Sequence, residues 1–415
     1  MRFAGLLPLP LRAACDTTFG PVYSIDRLRA PREGYALPSF VARGPDLESL
    51  FGSTTQIFGT GYHSTDSVAA TMAVGEAFER LALHIGPSNS SISVPLTGSS
   101  DTREAHIAWS KFGCCDHHSQ EDENGLSSVY VYATHLASNE SNLVPLEAVN
   151  FGHILRSRIP TSTGAAVHSS YQLAVRAGVL EALERDAFMG MWYSRKVFPT
   201  IVPDADSLLY EYLIAARGDA PELHLIDLSS IHRIPCVVAI TFGEAGRYGI
   251  GAAAKSSLHA AAVSAANEAM SVYNHAFFEP TVRVIHDANE IASFEDHVAW
   301  YQDNSSRVES LRWMASGEQI QYSNDTLLET WHEPNFDNAL IETLHISGID
   351  TFVVPLASSQ SRSFGLEAVK VVATGALDLT VGVSGQCVNH RRFSSQSFRR
   401  VFGCPTINLD PHPFP

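Results

Sequence analysis

Two closely similar segments, Glu76-Ala-Phe-Glu-Arg80 and Glu181-Ala-Leu-Glu-Arg185, constrain the fold of this chain more than any other feature. In each segment two carboxylates three residues apart lie on one face of a helix, with an arginine four residues after the first. Small and apolar residues precede both segments, at 69–75 and 173–180, as is typical of buried helices. Unpaired buried carboxylates are costly, so four of them together imply a compensating cation. Oxygen ligands favour Mg²⁺, which is often shared with substrate phosphates.

The alternative interpretation is a pair of surface helices with ordinary salt bridges between residues i and i+4. One such segment alone would fit that interpretation as well as the buried one. The repetition of the segment in two apolar contexts favours the buried site.

The organisation of the chain repeats around these segments. Small-residue turns are predicted at 59–61, 162–166 and 249–254, and each leads to an alanine-rich helix, at 67–84, 171–193 and 258–274, the last carrying Glu268. Strands are predicted at 129–133, 223–228, 236–242, 352–356, 368–373 and 379–383, and surface helices at 288–301 and 340–347. No linker separates two domains, so we predict one large α+β domain over residues 59–400, after a lead-in at 1–58 and before a tail at 401–415.

Net charge and apolar content exclude several classes of function. The chain has 415 residues and a formal net charge of −16, which argues against general binding to nucleic acids or anionic membranes. No apolar run reaches the length of a membrane span. Pro8, Pro10 and Arg12 interrupt the apolar start in a way that does not suit an export signal, so we expect a cytoplasmic protein.

Two cysteine-containing segments offer weaker alternatives. Residues 114–118, Cys-Cys-Asp-His-His, are of zinc-ligand types, but adjacent ligands do not suit a tetrahedral site, and we expect a solvated loop. Cys387 and His390 are a conceivable nucleophile and base for hydrolysis, but two residues so close in one segment rarely form such a pair. A structural cysteine is the favoured interpretation.

The three blocks, taken in order, resemble the YcaO family. Residues 59–80 resemble its first ATP-binding segment, and residues 162–188, with the string Leu180-Glu-Ala-Leu-Glu-Arg-Asp-Ala187 followed by Trp192, resemble its most specific one. Residues 249–252 and 267–269 resemble the third block, so the likeness spans roughly residues 55–395. The final Pro411-His-Pro-Phe-Pro415 resembles the PxPxP tail of azoline-forming members, the D components of heterocyclase pairs, and implies a stiff tail that reaches the active site.

This resemblance implies an ATP-dependent cyclodehydratase that converts Cys, Ser or Thr residues of a ribosomal precursor peptide into thiazolines or oxazolines. The backbone amide oxygen would be phosphorylated by ATP and lost as phosphate. Thioamide or amidine formation with the same ATP site, and a non-catalytic scaffold within a biosynthetic complex, are the alternatives. The implied partners are the precursor peptide, a separate leader-binding protein that resembles an E1-type enzyme, a flavin-dependent azoline dehydrogenase and a second copy of the chain.

The resemblance also assigns residues. It implies Mg²⁺ and ATP contacts from five glutamates, Glu76, Glu79, Glu181, Glu184 and Glu268. It implies further nucleotide contacts from Arg80, Ser162, Thr163, Arg185 and Arg391 or Arg392, and catalytic roles for Glu184, Arg185 and the Pro415 end of the tail. Met72 replaces a serine of the family pattern, Gln172 or Leu173 stands where it has a carboxylate, and Ser271 and Tyr273 stand where it has Gln and Arg, unless those two are displaced. With fewer anionic ligands the site should bind Mg²⁺ less tightly, unless phosphates or waters complete it.

Overall fold

The structure is a computed structural model that describes residues 2–18, 20–47, 56–87, 91–93, 107, 129–151, 161–277, 284–329, 336–356, 358–382 and 388–415. The predictions for residues 114–118 and for Cys387 lie outside these residues.

The described chain mixes strands and helices throughout. The strands are β1 Ser24–Leu28, β2 Ser39–Asp46, β3 Gln56–Tyr62, β4 Ser91–Ser93, β5 Val129–His135, β6 Ser141–Pro145, β7 Ala165–His168, β8 Thr200–Pro203, β9 Leu223–Asp227, β10 Cys236–Phe242, β11 Tyr248–Ala254, β12 Gln319–Tyr322, β13 Asp350–Pro355 and β14 Glu367–Thr374. The helices are α1 Leu9–Arg12, α2 Asp66–Ile85, α3 Tyr171–Ser194, α4 Leu208–Arg217, α5 Ser229–His232, α6 Leu258–His275, α7 Phe294–Tyr301, α8 Ser305–Glu309, α9 Asn324–Leu328, α10 Phe336–Ser347, α11 Ser359–Ser363 and α12 Gln396–Phe402. This is the α+β fold that the sequence predicts.

The strands form three sheets, with the orders β1-β2-β3, β11-β10-β9-β8-β12 and β4-β5-β13-β14-β7, and β6 also pairs with β5. Pairing is antiparallel except between β8 and β12. Three edge strands, β3, β7 and β11, are each followed along the chain by one of the long helices, α2, α3 and α6. The same unit of edge strand and helix therefore occurs three times.

The first and third units share a close approach between strand and helix. A Cβ on Gly59 would lie 2.3 Å from the Ala73 carbonyl oxygen, and one on Gly251 would lie 2.5 Å from that of Ala265. Glycine is required at such positions because the backbones are too close for any side chain. This contact explains why both strands are rich in glycine and why both helices are rich in alanine.

Helix α3 lies at the centre of the largest hydrophobic core. It is buried over most of its circumference, including Phe188, Trp192 and the carboxylate of Glu184. The surrounding cluster includes Tyr248 of β11 and Phe414 of the tail. A helix that is buried on all sides shows little amphipathic pattern. The sequence therefore reveals α3 through its acidic motif rather than through hydrophobic periodicity.

Four sequence predictions are wrong in detail. Residues 59–61 and 249–254 belong to strands β3 and β11 rather than to turns, because the glycines serve the close helix contact. The predicted turn at 162–166 ends earlier, since Ala165 and Ala166 already belong to β7. Residues 379–382 form no strand, although they follow β14 closely.

The predicted domain boundaries fall within secondary structure. Strand β3 spans the boundary at residues 58 and 59, and α12 spans the one at 400 and 401. The division into lead-in, domain and tail stays a prediction. No helix of the described chain is long and apolar enough to cross a lipid bilayer.

Candidate functional site

The free amides of the edge strands bind the glutamates of the helices. Glu76 of α2 accepts hydrogen bonds from the Thr60 amide and hydroxyl, each at 2.9 Å. Glu268 of α6 accepts one from the Ala252 amide at 2.9 Å, again 16 residues away along the chain. Edge strands expose unpaired amides, and a carboxylate is a strong acceptor for them. Strands β3 and β11 therefore each fix a partly buried carboxylate of the neighbouring helix.

Glu184 links two of the repeated units. Its carboxylate, on α3, accepts a hydrogen bond of 3.1 Å from the Ala254 amide on β11. Ala252 and Ala254 are two residues apart on one edge strand, so both amides point away from the sheet on the same side. Glu184 and Glu268 thus meet at the free edge of β11.

Arg185 lies among the carboxylates. Its Nη2 is 3.6 Å from a Glu181 carboxylate oxygen, and its Nε is 3.6 Å from one of Glu184. Burial opposes its charge, but Glu184, Glu181 and Glu268 outweigh that effect and raise the pKa of Arg185. Arg185 is therefore a permanent cation at the centre of the acidic cluster.

Burial dominates the electrostatics of the acidic cluster. The pKa of Glu184 is raised to about 8, chiefly by burial, with Glu268 and Glu181 adding to the rise and Arg185 opposing it. Burial also raises the pKa values of Glu79, Glu181 and Glu268, again with neighbouring carboxylates adding to the effect. Arg185, Arg80 and Lys370 together do not neutralise five glutamates, so the site has capacity for a further cation.

Arg80 makes the ordinary helix contact at the edge of the cluster. Its Nη2 lies 3.2 Å from Glu76, four residues earlier on α2. Its guanidinium also opposes the rise in the pKa of Glu79. The first motif is thus placed as predicted, on the helix face that meets the second motif.

The loop before β7 is held by two charged residues. The buried Lys370 ammonium donates hydrogen bonds of 2.7 Å to the Thr161 and Thr163 carbonyls. The Asp378 carboxylate accepts hydrogen bonds from the Thr161 and Thr163 hydroxyls, at 2.8 and 2.6 Å. The Thr163 hydroxyl, predicted as a nucleotide contact, therefore donates to Asp378. The carbonyl oxygen of the neighbouring Ser162 accepts a hydrogen bond of 2.7 Å from the Ala165 amide.

The C-terminal tail reaches the acidic cluster. The Phe414 ring is fully buried, and the Arg185 guanidinium carbon lies 4.3 Å from its centroid. Pro415 follows and is exposed. The structure thus brings the Pro-rich tail to the motif arginine of α3.

The remaining assigned residues lie apart from the acidic cluster. Arg391 packs over Gly375, whose added Cβ would lie 2.6 Å from its Nη2. The suggestion that Arg392 faces phosphates is wrong, because Arg392 is buried and its Nη2 lies 2.7 Å from the Asp186 carboxylate.

The three departures from the family pattern occupy different environments. Met72 is 42% exposed on α2, and Gln172 is exposed in the first turn of α3. Tyr273 is 3% exposed and packs edge-on against Tyr35, with ring centroids 5.5 Å apart. Tyr273 is therefore a core residue in this protein.

Sequence reasoning missed Tyr62, Lys370, Asp378 and Phe414. Tyr62 lies close enough to Glu268, Glu76 and Arg185 for their charges to act on its pKa, which burial raises well above its ordinary value. It would have been found by reading residues 56–62 as a strand, since Thr60 and Tyr62 then share a face. A single lysine inside the apolar run 368–373 was the available signal for Lys370.

The donor set fits a nucleotide held with Mg²⁺. The Nε and Nη1 of Arg185 and the Nε of Arg80 are buried, and no described residue accepts a hydrogen bond from them. Within the described residues no three acidic, histidine or cysteine side chains converge closely enough to hold a metal ion by themselves. Mg²⁺ commonly takes one or two carboxylates and completes its shell with waters and phosphates. The orphaned guanidinium donors and the excess carboxylates suit those two partners.

Comparison with known proteins identifies the family. The family model described as YcaO cyclodehydratase, ATP- and Mg²⁺-binding, matches residues 60–377, which is most of the chain. The chain belongs to the YcaO family, and the ATP and Mg²⁺ binding of that family confirms the predicted cofactors. No curated protein matches the chain significantly in sequence.

Solved structures share the fold at low sequence identity. A heterocyclase in complex with substrate and cofactor superposes with a TM-score of 0.76 at 17% identity over 97% of this chain and 56% of its own, so this chain spans little more than half that protein's length. The YcaO from Methanopyrus kandleri bound with AMPPCP and Mg²⁺ gives a TM-score of 0.63 at 17% identity, over 86% of each chain. A chain of the E. coli microcin synthetase McbBCD complex gives 0.61 at 16% identity, over 94% of this chain and 96% of the other.

Proposed function

We propose that this protein catalyses the ATP-dependent cyclodehydration of Cys, Ser or Thr residues in a ribosomally made precursor peptide. The observation that carries the proposal is the cluster of glutamates around Arg185. The Nε and Nη1 of Arg185 have no hydrogen-bond acceptor in the described protein, although the guanidinium lies 3.6 Å from the carboxylates of Glu181 and Glu184. ATP supplies the phosphoryl group that turns the backbone amide oxygen into a leaving phosphate, and Mg²⁺ neutralises charge on the phosphates.

The glutamates and arginines hold and orient the nucleotide. Glu76, Glu79, Glu181, Glu184 and Glu268 provide the Mg²⁺ ligands, directly or through water. Arg185, with Arg80 at the edge, donates to phosphate oxygens through the N–H groups that have no partner in the described protein. The backbone amides of Thr60, Ala252 and Ala254 keep three of these carboxylates in place.

The loop and the tail shape the space around the reacting peptide. Lys370 and Asp378 fix the backbone and hydroxyls of residues 161–163, so Ser162 and Thr163 contribute to the site chiefly through loop position. The buried Phe414 covers one side of Arg185 and excludes water from it, and Pro415 borders the reacting peptide. A water-poor site favours transfer of the phosphoryl group to the former amide oxygen, which then leaves the ring carbon as phosphate, over hydrolysis of ATP.

Partner proteins are part of the proposal. This fold is shared by a chain of the McbBCD complex, solved with and without bound pro-MccB17, and by a heterocyclase solved in complex with substrate and cofactor. By analogy we propose that this chain works with a leader-binding partner, and that a flavin-dependent azoline dehydrogenase and a second copy of the chain join the complex.

The test is the mass change of peptides that carry Cys, Ser or Thr, incubated with this protein, its partner, Mg²⁺ and ATP. Loss of one water per ring, coupled to phosphate release, is the expected result. This loss of water should vanish in Glu184→Gln. It should persist in Glu309→Gln, because Glu309 is exposed and pairs with Arg312 rather than with a residue of the site. Thioamide formation would raise the mass by replacing oxygen with sulfur. An intramolecular amidine would lose the same water but leave the Cys, Ser or Thr side chain free, and ATP binding without any peptide change would favour the scaffold alternative.

A further inference from the structure

The tail is held in place by four side chains that donate to four consecutive carbonyls. The acceptors are the backbone oxygens of residues 410–413. The donors are Trp192 Nε1 to Asp410 at 3.0 Å, Tyr301 OH to Pro411 at 2.5 Å, His297 Nδ1 to His412 at 2.8 Å and Tyr248 OH to Pro413 at 2.8 Å. Prolines lack an N–H, so this stretch of backbone offers mainly acceptors, and the groove supplies matching donors.

This grip fixes the tail independently of the acidic cluster. The rings of His297 and His412 stack with centroids 4.0 Å apart, and His412 also donates from Nε2 to the Thr380 carbonyl at 2.9 Å. The prolines restrict the backbone to an extended course. The position of the Phe414 ring is therefore set by the tail and its groove rather than by Arg185.

The Phe414 ring then supports the guanidinium of Arg185 from one face. The ring centroid lies 4.3 Å from the guanidinium carbon, and Phe188 backs the ring at 5.0 Å between centroids. The ion pairs of Arg185 with Glu181 and Glu184 are 3.6 Å long, which is beyond hydrogen-bonding distance, and its Nε and Nη1 have no acceptor among the described residues. The aromatic face thus contacts the guanidinium without using its N–H groups, and it leaves those donors available.

We propose that Phe414 is a positioning residue that holds the Arg185 guanidinium in the orientation in which its unpaired N–H groups meet the nucleotide phosphates. The inference rests on the proposed function, and it couples the tail to nucleotide binding. Without the aromatic face the guanidinium settles onto Glu181 and Glu184, forms closer ion pairs, and turns its donors away from the nucleotide.

The experiment measures Mg·ATP binding by isothermal titration calorimetry to the full chain and to variants at Phe414. Phe414→Leu and Phe414→Met keep an apolar side chain but remove the aromatic face, and we expect the Kd to rise about tenfold in both. Phe414→Tyr keeps the face and should bind within about twofold of the unaltered protein. Phe398→Leu is the matched control, because Phe398 is equally buried in the same core but contacts other rings.

Thermal unfolding of each variant separates positioning from general loss of structure. Phe414→Leu and Phe398→Leu should lower the melting temperature similarly, while only the former weakens nucleotide binding. Unchanged affinity in folded Phe414→Leu or Phe414→Met overturns the inference, as does equal weakening in Phe398→Leu or Phe414→Tyr. Failure of the unaltered protein to bind Mg·ATP overturns the proposed function itself.

Discussion

Replacement of Gly61 by alanine tests how the site is built. Gly61 lies on β3, and a Cβ there would lie 2.0 Å from the Ala69 carbonyl oxygen and 2.4 Å from the Ala73 amide nitrogen of α2. Cβ atoms essentially never approach heavy atoms closer than 3.0 Å, so the helix has to retreat by about 1 Å. Overpacking of this kind lowers the free energy of unfolding by about 1–3 kcal/mol. Because the clash is with rigid backbone, we expect Gly61→Ala to lower it by about 3 kcal/mol.

Gly75→Ala is the matched control, on the helix that packs against this strand. No heavy atom lies within 4 Å of a Cβ at Gly75, which is inside α2. Alanine is the better helix former, so this variant should gain about 0.5–1 kcal/mol. The same chemical change is thus expected to have opposite effects at positions 61 and 75.

The assay is urea denaturation followed by circular dichroism, in the absence of nucleotide. Retreat of α2 should also separate Glu76 from the Thr60 amide, so Gly61→Ala should bind Mg·ATP less tightly as well. A Gly61→Ala protein within about 1 kcal/mol of the unaltered one, or a destabilised Gly75→Ala, would refute the reasoning about strand and helix contact.

Two further predictions concern buried charges. Asp186→Asn should lower the free energy of unfolding by about 3–5 kcal/mol in urea denaturation, because it leaves the buried Arg392 without its carboxylate. Asp337→Asn, at a half-exposed pair with Arg176, should lower it by less than about 1 kcal/mol. Equal losses in the two variants would contradict this prediction. Burial raises the pKa of Glu184 from 4.5 to about 8, so the folded protein binds more protons than the unfolded chain in that range. The free energy of unfolding without nucleotide should therefore fall as pH rises from about 4.5 to about 8, and Glu184→Gln should flatten this dependence; an equally steep profile in the variant would count against it.

The helices that carry the site were predictable because their signal is local. The acidic motifs and alanine runs place α2, α3 and α6 within one or two residues of their observed bounds. The strands β3 and β11 were misread because glycine usually marks a turn, whereas here it permits a contact with a helix far along the chain. Sequence alone does not show which of these two uses a glycine has.

The contacts around Arg185 depend on residues distant in sequence. Resemblance to a family predicted that the tail reaches the site, but the donors that hold it come from α3, β11 and α7. Likewise Lys370 and Asp378 act on a loop more than two hundred residues earlier. Such pairings follow from tertiary packing, which motif spacing does not determine.

The central claim is that the glutamates around Arg185 bind ATP with Mg²⁺, and calorimetric titration of the full chain with ATP tests it most directly. The account predicts binding that requires Mg²⁺, falls at least about tenfold in Glu184→Gln, and is unchanged in the exposed variant Glu309→Gln. Binding that is absent from the unaltered chain in the presence of its partner, or equally tight in Glu184→Gln, would contradict it.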